Sequence, residues 1–325
     1  MRRRNRNAFW AKAVLLAVLG GCAENNTREC NVGVDCASGV CLSDGTCAEL
    51  DVGVDMETVD LAMLDTAQLD GDASDSMANL PDAGPEMGAE GGLCSPNRDG
   101  RIERSEVTLA SGLRANFASA TDVTFDTRGE MVDGTRTWDL ARAFAGEEII
   151  AVDTRSIADE WFASDFVGAT YAAELSVDSD LIGIFESTDN ALLLRGVVSP
   201  DDGFTRTNLE NDPPATVLAF PLELDYTWST EVSVSGVALG VFSIYSESYT
   251  SRVDQRGTVL TPFGRFDDVF RVRTELVRTV GIVRTTIVSF AFVSECFGTI
   301  ATLTGRDNDD GAELDELAEL RRLAP

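Results

Sequence analysis

From residue 94 to residue 305 the chain consists of short runs rich in Val, Thr, Ile, Phe and Tyr, broken by Gly, Pro and Asp. Such side chains suit a pleated, half-buried surface, and the breakers supply turns. Phe270-Arg271-Val272-Arg273-Thr274-Glu275-Leu276 alternates in character residue by residue, the period of a strand with one wet face. Asp180–Phe185, Ala191–Leu194, Val241–Tyr245, Ile282–Val293 and Thr299–Thr304 predict further strands, and Thr261–Phe266 carries the Pro and Gly of a turn. Helical spacing appears only at the end, where Leu314, Leu317, Leu320 and Leu323 share one face. Acids precede and arginines follow within that run, as a helix dipole favours. The pattern predicts an all-β, mainly antiparallel domain over residues 94–325 with a short C-terminal helix. Curved sheet, half-open barrel and sandwich all fit, and the long strands favour a curved or barrel-like form.

Four cysteines, Cys30, Cys36, Cys41 and Cys47, crowd into residues 30–47. A segment that short buries no useful core, so cross-links must hold it. Zinc would favour paired Cys-x2-Cys spacing, which is absent. Three disulfide connectivities exist, of which Cys30–Cys41 with Cys36–Cys47 is favoured. Cys94 and Cys296 remain as a distant pair that would pin the start of the β domain to a late strand. Residues 48–93 contain twelve acidic residues, no basic ones and no aromatics. Such a stretch has too little apolar surface to offset its ordering entropy, and predicts an extended, disordered linker.

The chain opens on a basic segment with Arg2, Arg3, Arg4 and Arg6, then the apolar run Ala13–Leu19 and Gly20-Gly21-Cys22. This is the layout of a secretory signal, with an apolar run too short to span a bilayer. Leu19-Gly20-Gly21-Cys22 resembles the lipobox of bacterial lipoproteins. That resemblance implies removal of residues 1–21, a lipid on Cys22, a polar tether over 22–29 and attachment to a membrane. Ala23 rather than Asp after the cysteine implies, by the enteric sorting rule, the outer membrane, facing the periplasm or the cell surface. Asp35-Cys36-Ala37-Ser38-Gly39-Val40-Cys41 is similar to small cysteine-rich repeats beside lipoboxes in predicted myxobacterial-type surface proteins. Thr137–Leu140 and Gly257–Val272 resemble segments of uncharacterised secreted β proteins and predicted lipoproteins, which imply no activity.

Composition excludes more than it assigns. The formal charge is −29, and removing the five basic residues of the leader would bring it to −34. Such acidity repels nucleic acid. The chain has no His, and its only Lys is Lys12 in the leader. Ser-His-Asp and Cys-His nucleophiles, His-ligated zinc, Schiff-base lysine and P-loop lysine are therefore absent. The expectation is a non-enzymatic, lipid-anchored envelope protein whose ligand, protein, lipid or glycan, is left open.

Three candidate chemistries remain. Ser95, Asn97, Asp99, Arg101 and Glu106 fall at ligand positions of an EF-hand-type calcium loop around Gly100, although position 1 is Ser and no helix pair flanks it. A local turn with satisfied polar groups is the competing reading. Trp138, Trp161 and Trp228 could form a sugar-binding platform, or serve as core. The carboxylate pairs Asp201-Asp202 and Asp267-Asp268, both read as loop residues, raise glycoside hydrolysis, which needs two carboxyls about 5–9.5 Å apart across a cleft.

Overall fold

Strand β11, Thr227–Ala238, shows how the alternation is used: Trp228, Thr230, Val232 and Val234 face inward while Thr227, Ser229, Glu231 and Ser233 are exposed. The computed structural model describes residues 96–176 and 179–325. The leader, Cys22, the tether, the cysteine-rich module, the acidic linker, Cys94 and Ser95 lie outside the described residues.

The strands are β1 Arg101–Ile102, β2 Arg114–Thr124, β3 Glu130–Val132, β4 Thr135–Asp139, β5 Glu148–Asp153, β6 Tyr171–Glu174, β7 Ile182–Ser187 and β8 Ala191–Val198. After them come β9 Asn208–Ala219, β10 Leu222–Glu223, β11, β12 Val241–Leu260, β13 Arg265–Val280, β14 Val283–Ser294, β15 Gly298–Gly305 and β16 Glu316–Ala324. Twelve pair in the order β5-β2-β16-β15-β14-β13-β12-β11-β9-β8-β7-β6, with antiparallel neighbours throughout. The two ends of that path meet just beyond β5, where Arg155 and Ala172 exchange backbone hydrogen bonds of 2.8 and 2.9 Å. The result is a nearly closed barrel. Closure removes most of the edge that an open sheet would expose.

Alternation sorts the apolar residues into an interior and an outer core. Tyr171, Leu192, Leu218, Val253, Phe270, Val272 and Val293 come from opposite sides of the ring and fill the barrel. Ile102, Val107 and Leu222 join them, so the β1–β10 pair and the segment after it plug one end. On the outer surface Trp138, Leu140, Phe290, Phe292, Leu314 and Leu320 form a second core beneath the β2–β5 and β15–β16 connections. Phe162 and Phe166 cover β6–β8 in the same way. Pro213 and Pro214 lie in β9 where neither β8 nor β11 pairs with it, as residues without an N–H require.

The C-terminal helix does not form. Residues 316–324 are strand β16, paired with β15 on one side and β2 on the other. Both faces of this strand are covered, with Leu317 and Leu320 in the outer core and Glu319 paired with Arg321 in the barrel, so its charged residues mark no wet face and the two-residue period is hidden. Asp267 and Asp268 also differ from expectation, lying in β13 at an irregularity opposite Thr258 rather than in a loop. The Thr261–Gly264 turn forms as expected, with mutual hydrogen bonds between Thr261 and Gly264.

Candidate functional site

At mid-height the inward residues of five adjacent strands form a polar row. Ser251, Thr274, Ser289, Thr304 and Glu319 are cross-strand partners in sequence from β12 to β16. One level nearer the unplugged end Tyr249, Leu276 and Ile287 are partners, and above them Glu247 faces Arg278. Members of these rows line a cavity of about 210 Å³, together with Leu175 and Ser176 just beyond β6.

One buried and one partly buried ion pair set the electrostatics of this wall. Arg278 Nε donates to Glu247 Oε1 at 2.7 Å, with both side chains less than a tenth exposed. The Tyr249 hydroxyl donates to Glu247 Oε2 at 2.5 Å, and the Arg278 guanidinium lies 5.4 Å from the Tyr245 ring centre. Burial pushes Tyr245 up to about 12, and burial with the Glu247 charge and hydrogen bond pushes Tyr249 well above its ordinary value. Both phenols therefore stay neutral, and Tyr249 acts as a donor. Farther along, Glu319 accepts from Ser176 Oγ at 2.7 Å and lies 3.1 Å from Arg321 Nε. The wall offers hydroxyls, an aromatic ring and aliphatic ends side by side. Its chemistry suits holding a small amphipathic molecule.

Beyond the barrel wall, two further arginines are structural. Arg271 Nε and Nη2 donate to Asp254 at 2.9 and 2.7 Å, Nη1 and Nη2 donate to Glu313 at 2.9 and 2.7 Å, and Nη1 reaches the Thr127 carbonyl at 2.6 Å. Asp254 is the extra residue of a β12 bulge between Val253 and Gln255, a device that re-aims a side chain. Arg322 donates to the Leu140, Ala118 and Arg142 carbonyls and to Glu147. It clamps the β4–β5 connection onto the outer core.

The candidate residues read from the sequence do not come together. Trp138 is fully buried in the outer core, Trp161 packs on Phe162, and Trp228 turns into the barrel with its Nε1 donating to the Thr216 carbonyl at 3.1 Å. They share no face, so these three form no common platform. Asp202 pairs with Arg206 in the β8–β9 loop, whereas Asp267 is held by Arg265 and Thr258. The hydrogen bond from Arg265 is the main cause that keeps Asp267 below the usual carboxylate range, the opposite of what a general acid needs.

In the calcium-loop segment, Asn97 Oδ1 accepts from the Asp99 amide at 2.9 Å and Asp99 Oδ1 from the Arg101 amide at 3.0 Å. Glu106 accepts from the Asn97 side chain and, at 2.7 Å, from the Glu103 amide. These oxygens are engaged in a turn that closes on itself. Among the described residues no group of three His, Cys, Asp or Glu side chains is arranged to hold a metal ion.

No family model and no curated protein matches the chain. Two solved structures show distant similarity. One is a "putative lipoprotein" from Parabacteroides distasonis ATCC 8503, with 10% identity, a TM-score of 0.31, and coverage of 66% of this chain and 95% of the other. The second is a "putative exported protein with YmcC-like fold" from Bacteroides fragilis NCTC 9343, with 10% identity, a TM-score of 0.26, and coverage of 66% and 96%. The strand pairing above, rather than these scores, carries the description of the fold.

Sequence reasoning missed Glu247, Tyr249, Thr274, Arg278, Ser289, Thr304 and Glu319. The available signal was polar residues at the otherwise apolar, inward positions of long strands, such as Glu247, Tyr249 and Ser251 at two-residue spacing.

Proposed function

We propose that this chain is a bacterial envelope lipoprotein, anchored through Cys22 at the outer membrane, whose barrel is a non-enzymatic binding module. The observation that supports a binding module is a barrel plugged at one end by Ile102, Val107 and Leu222, with a cavity lined by Tyr249, Leu276 and Arg278 toward the other. The described chain enters at Pro96 beside the plugged end. Outward rows such as Ser229, Glu231 and Ser233 are polar, the reverse of the lipid-facing band of a membrane barrel. No helix among the described residues is long and apolar enough to cross a membrane. Pairing of Cys94 with Cys296 would fix the entering chain. The Arg98 amide already donates to Glu295 at 3.2 Å and the Cys296 amide to the Glu106 carbonyl at 2.8 Å. Palmitate labelling in a bacterial host is expected for the full chain and absent for Cys22→Ala; equal labelling of the two would refute the anchor.

The second reading, a carrier of a small ligand, is favoured by the cavity. At about 210 Å³ it falls below the roughly 300–1,000 Å³ of drug-sized sites, so a short-chain alcohol or carboxylate fits better than a whole lipid. Saturation-transfer NMR is expected to show hexanoate or 1-hexanol contacting the wild-type chain, with the signal lost in Ser289→Phe, which fills the cavity. Equal transfer in both proteins, or none in either, would refute this use of the site.

A further inference from the structure

The longest stretch without a charge in this acidic chain is Val232–Ser246, bounded by Glu231 and Glu247. It forms the tip of the β11–β12 hairpin, at the unplugged end. There the surface carries Leu239 at 51%, Val241 at 66%, Phe242 at 71% and Ile244 at 64% exposure. The backbone is equally unfinished. Pairing of β12 with β13 begins only at Ser246 opposite Thr279, so among the described residues Val241–Ile244 pair with β11 on one side and with nothing on the other. Natural sheets blunt such an edge with a charge, a proline or a bulge. This edge has none of them.

The turn itself is built to present the patch. Leu239 and Gly240 have φ of 50° and 78°, the two positive angles of a type I′ hairpin turn, where Asn-Gly is the least strained pair. A branched leucine in that conformation costs roughly 1 kcal/mol. Nothing in the fold requires it, since half of its surface is in solvent. The turn is nevertheless held firmly, with the Leu239 amide donating to Thr207 Oγ1 at 3.2 Å and the Gly240 amide to the Arg206 carbonyl at 3.0 Å.

We infer that this edge is a docking surface for a second copy of the same chain, joined by antiparallel pairing of Val241–Tyr245 with its own twin about Ser243. An open row of backbone N–H and C=O groups calls for another strand; a lipid surface cannot satisfy it. Pairing about Ser243 keeps every side chain on its own face. It sets Phe242 opposite Ile244 of the partner subunit, an aromatic–β-branched pair of the kind that stabilises sheets. Two chains of net charge −29 repel as wholes, and the charge-free hairpin is where they can approach most cheaply. Ile282, fully exposed at the β13–β14 turn next in line, would be covered by the arriving strand. A five-residue pairing is shorter than the roughly 20–30 residues a side of a standard interface, so the association is expected to depend on concentration.

The inference does not depend on the anchor, and the test uses the full chain carrying Cys22→Ala throughout. Sedimentation velocity over about a hundredfold range of concentration should show a monomer–dimer equilibrium. Phe242→Glu with Ile244→Glu should weaken it at least tenfold with circular dichroism unchanged. Ser243→Cys should cross-link two copies under oxidising conditions, while Ser233→Cys, on a residue already paired on both sides, should not. A chain that stays monomeric at every concentration, a dimer indifferent to the double substitution, or failure of Ser243→Cys to cross-link would overturn the proposal. So would a monomer that binds phosphatidylcholine vesicles and loses that binding in the double variant, which would make the tip a membrane contact.

Discussion

Replacing Arg271 by alanine is expected to lower folding stability by about 3–5 kcal/mol, the usual cost of removing one partner from a buried ion pair. Arg271 is 1% exposed, and its guanidinium is the common partner of Asp254 and Glu313, whose side chains are less than a fifth exposed. The guanidinium also lies 4.5 Å from the Phe290 ring centre and 5.6 Å from that of Trp138. Its removal leaves two carboxylates facing each other beneath the β15–β16 connection. The pH dependence identifies the mechanism. Burial opposes the charge on Glu313, but hydrogen bonds from Arg271 and Thr127 and the Arg271 charge outweigh it and hold the pKa below the ordinary value. A depressed carboxylate stabilises the fold above its unfolded pKa, near 4.3, and that contribution disappears as pH falls through the folded value. In Arg271→Ala the same carboxylate, half-buried and beside Asp254, shifts upward, so protonation relieves the variant. The gap between wild type and variant should therefore be widest near neutrality and narrow below about pH 4. Urea denaturation at several pH values measures it; a gap under about 1 kcal/mol at pH 7, or one indifferent to pH, would refute the clamp.

Trp138→Ala should cost a similar amount, about 3–5 kcal/mol, by a different route. Trp138 is fully buried, meets Phe292 edge-on at 5.0 Å and donates from Nε1 to the Thr127 carbonyl at 2.8 Å. It also fills the space that Gly129 and Gly257 leave open, since an added Cβ would come within 2.8 and 2.9 Å of the indole. Truncation opens a cavity beneath the only parallel pairing in the sheet among the described residues, that of β4 with β12. A sugar-platform tryptophan would behave otherwise, losing ligand with little loss of stability. Calorimetric unfolding distinguishes the two, and an unchanged melting temperature would restore the platform. The two substitutions share the Thr127 carbonyl and touch each other, so their costs should not add.

Much of the barrel wall was legible in the sequence. Phe270–Leu276, Val241–Tyr245, Ile282–Val293 and Thr299–Thr304 fall within β13, β12, β14 and β15 almost as read, because alternation and turn residues are local signals. The cavity was not legible. Thr274, Ser289 and Thr304 look like ordinary strand residues until cross-strand register aligns them. The Trp residues were legible as core but not in their placement: sequence reveals that an aromatic is present, but not which core receives it.

By itself the sequence determined that the chain builds mainly antiparallel β structure, that a turn falls at Thr261–Gly264, and which nucleophile and His-ligated zinc chemistries it lacks. Tertiary structure alone decided that Leu314–Leu323 gives a strand instead of a helix, because the partners of β16 include residues 116–124, some two hundred positions away. It likewise decided that the sheet closes, that Arg271 meets Glu313, and that among the described residues Val241–Ile244 end without a partner. Those outcomes depend on which distant strands become neighbours. Hydrophobic period fixes the faces of each strand locally, whereas register across the ring fixes what those faces meet.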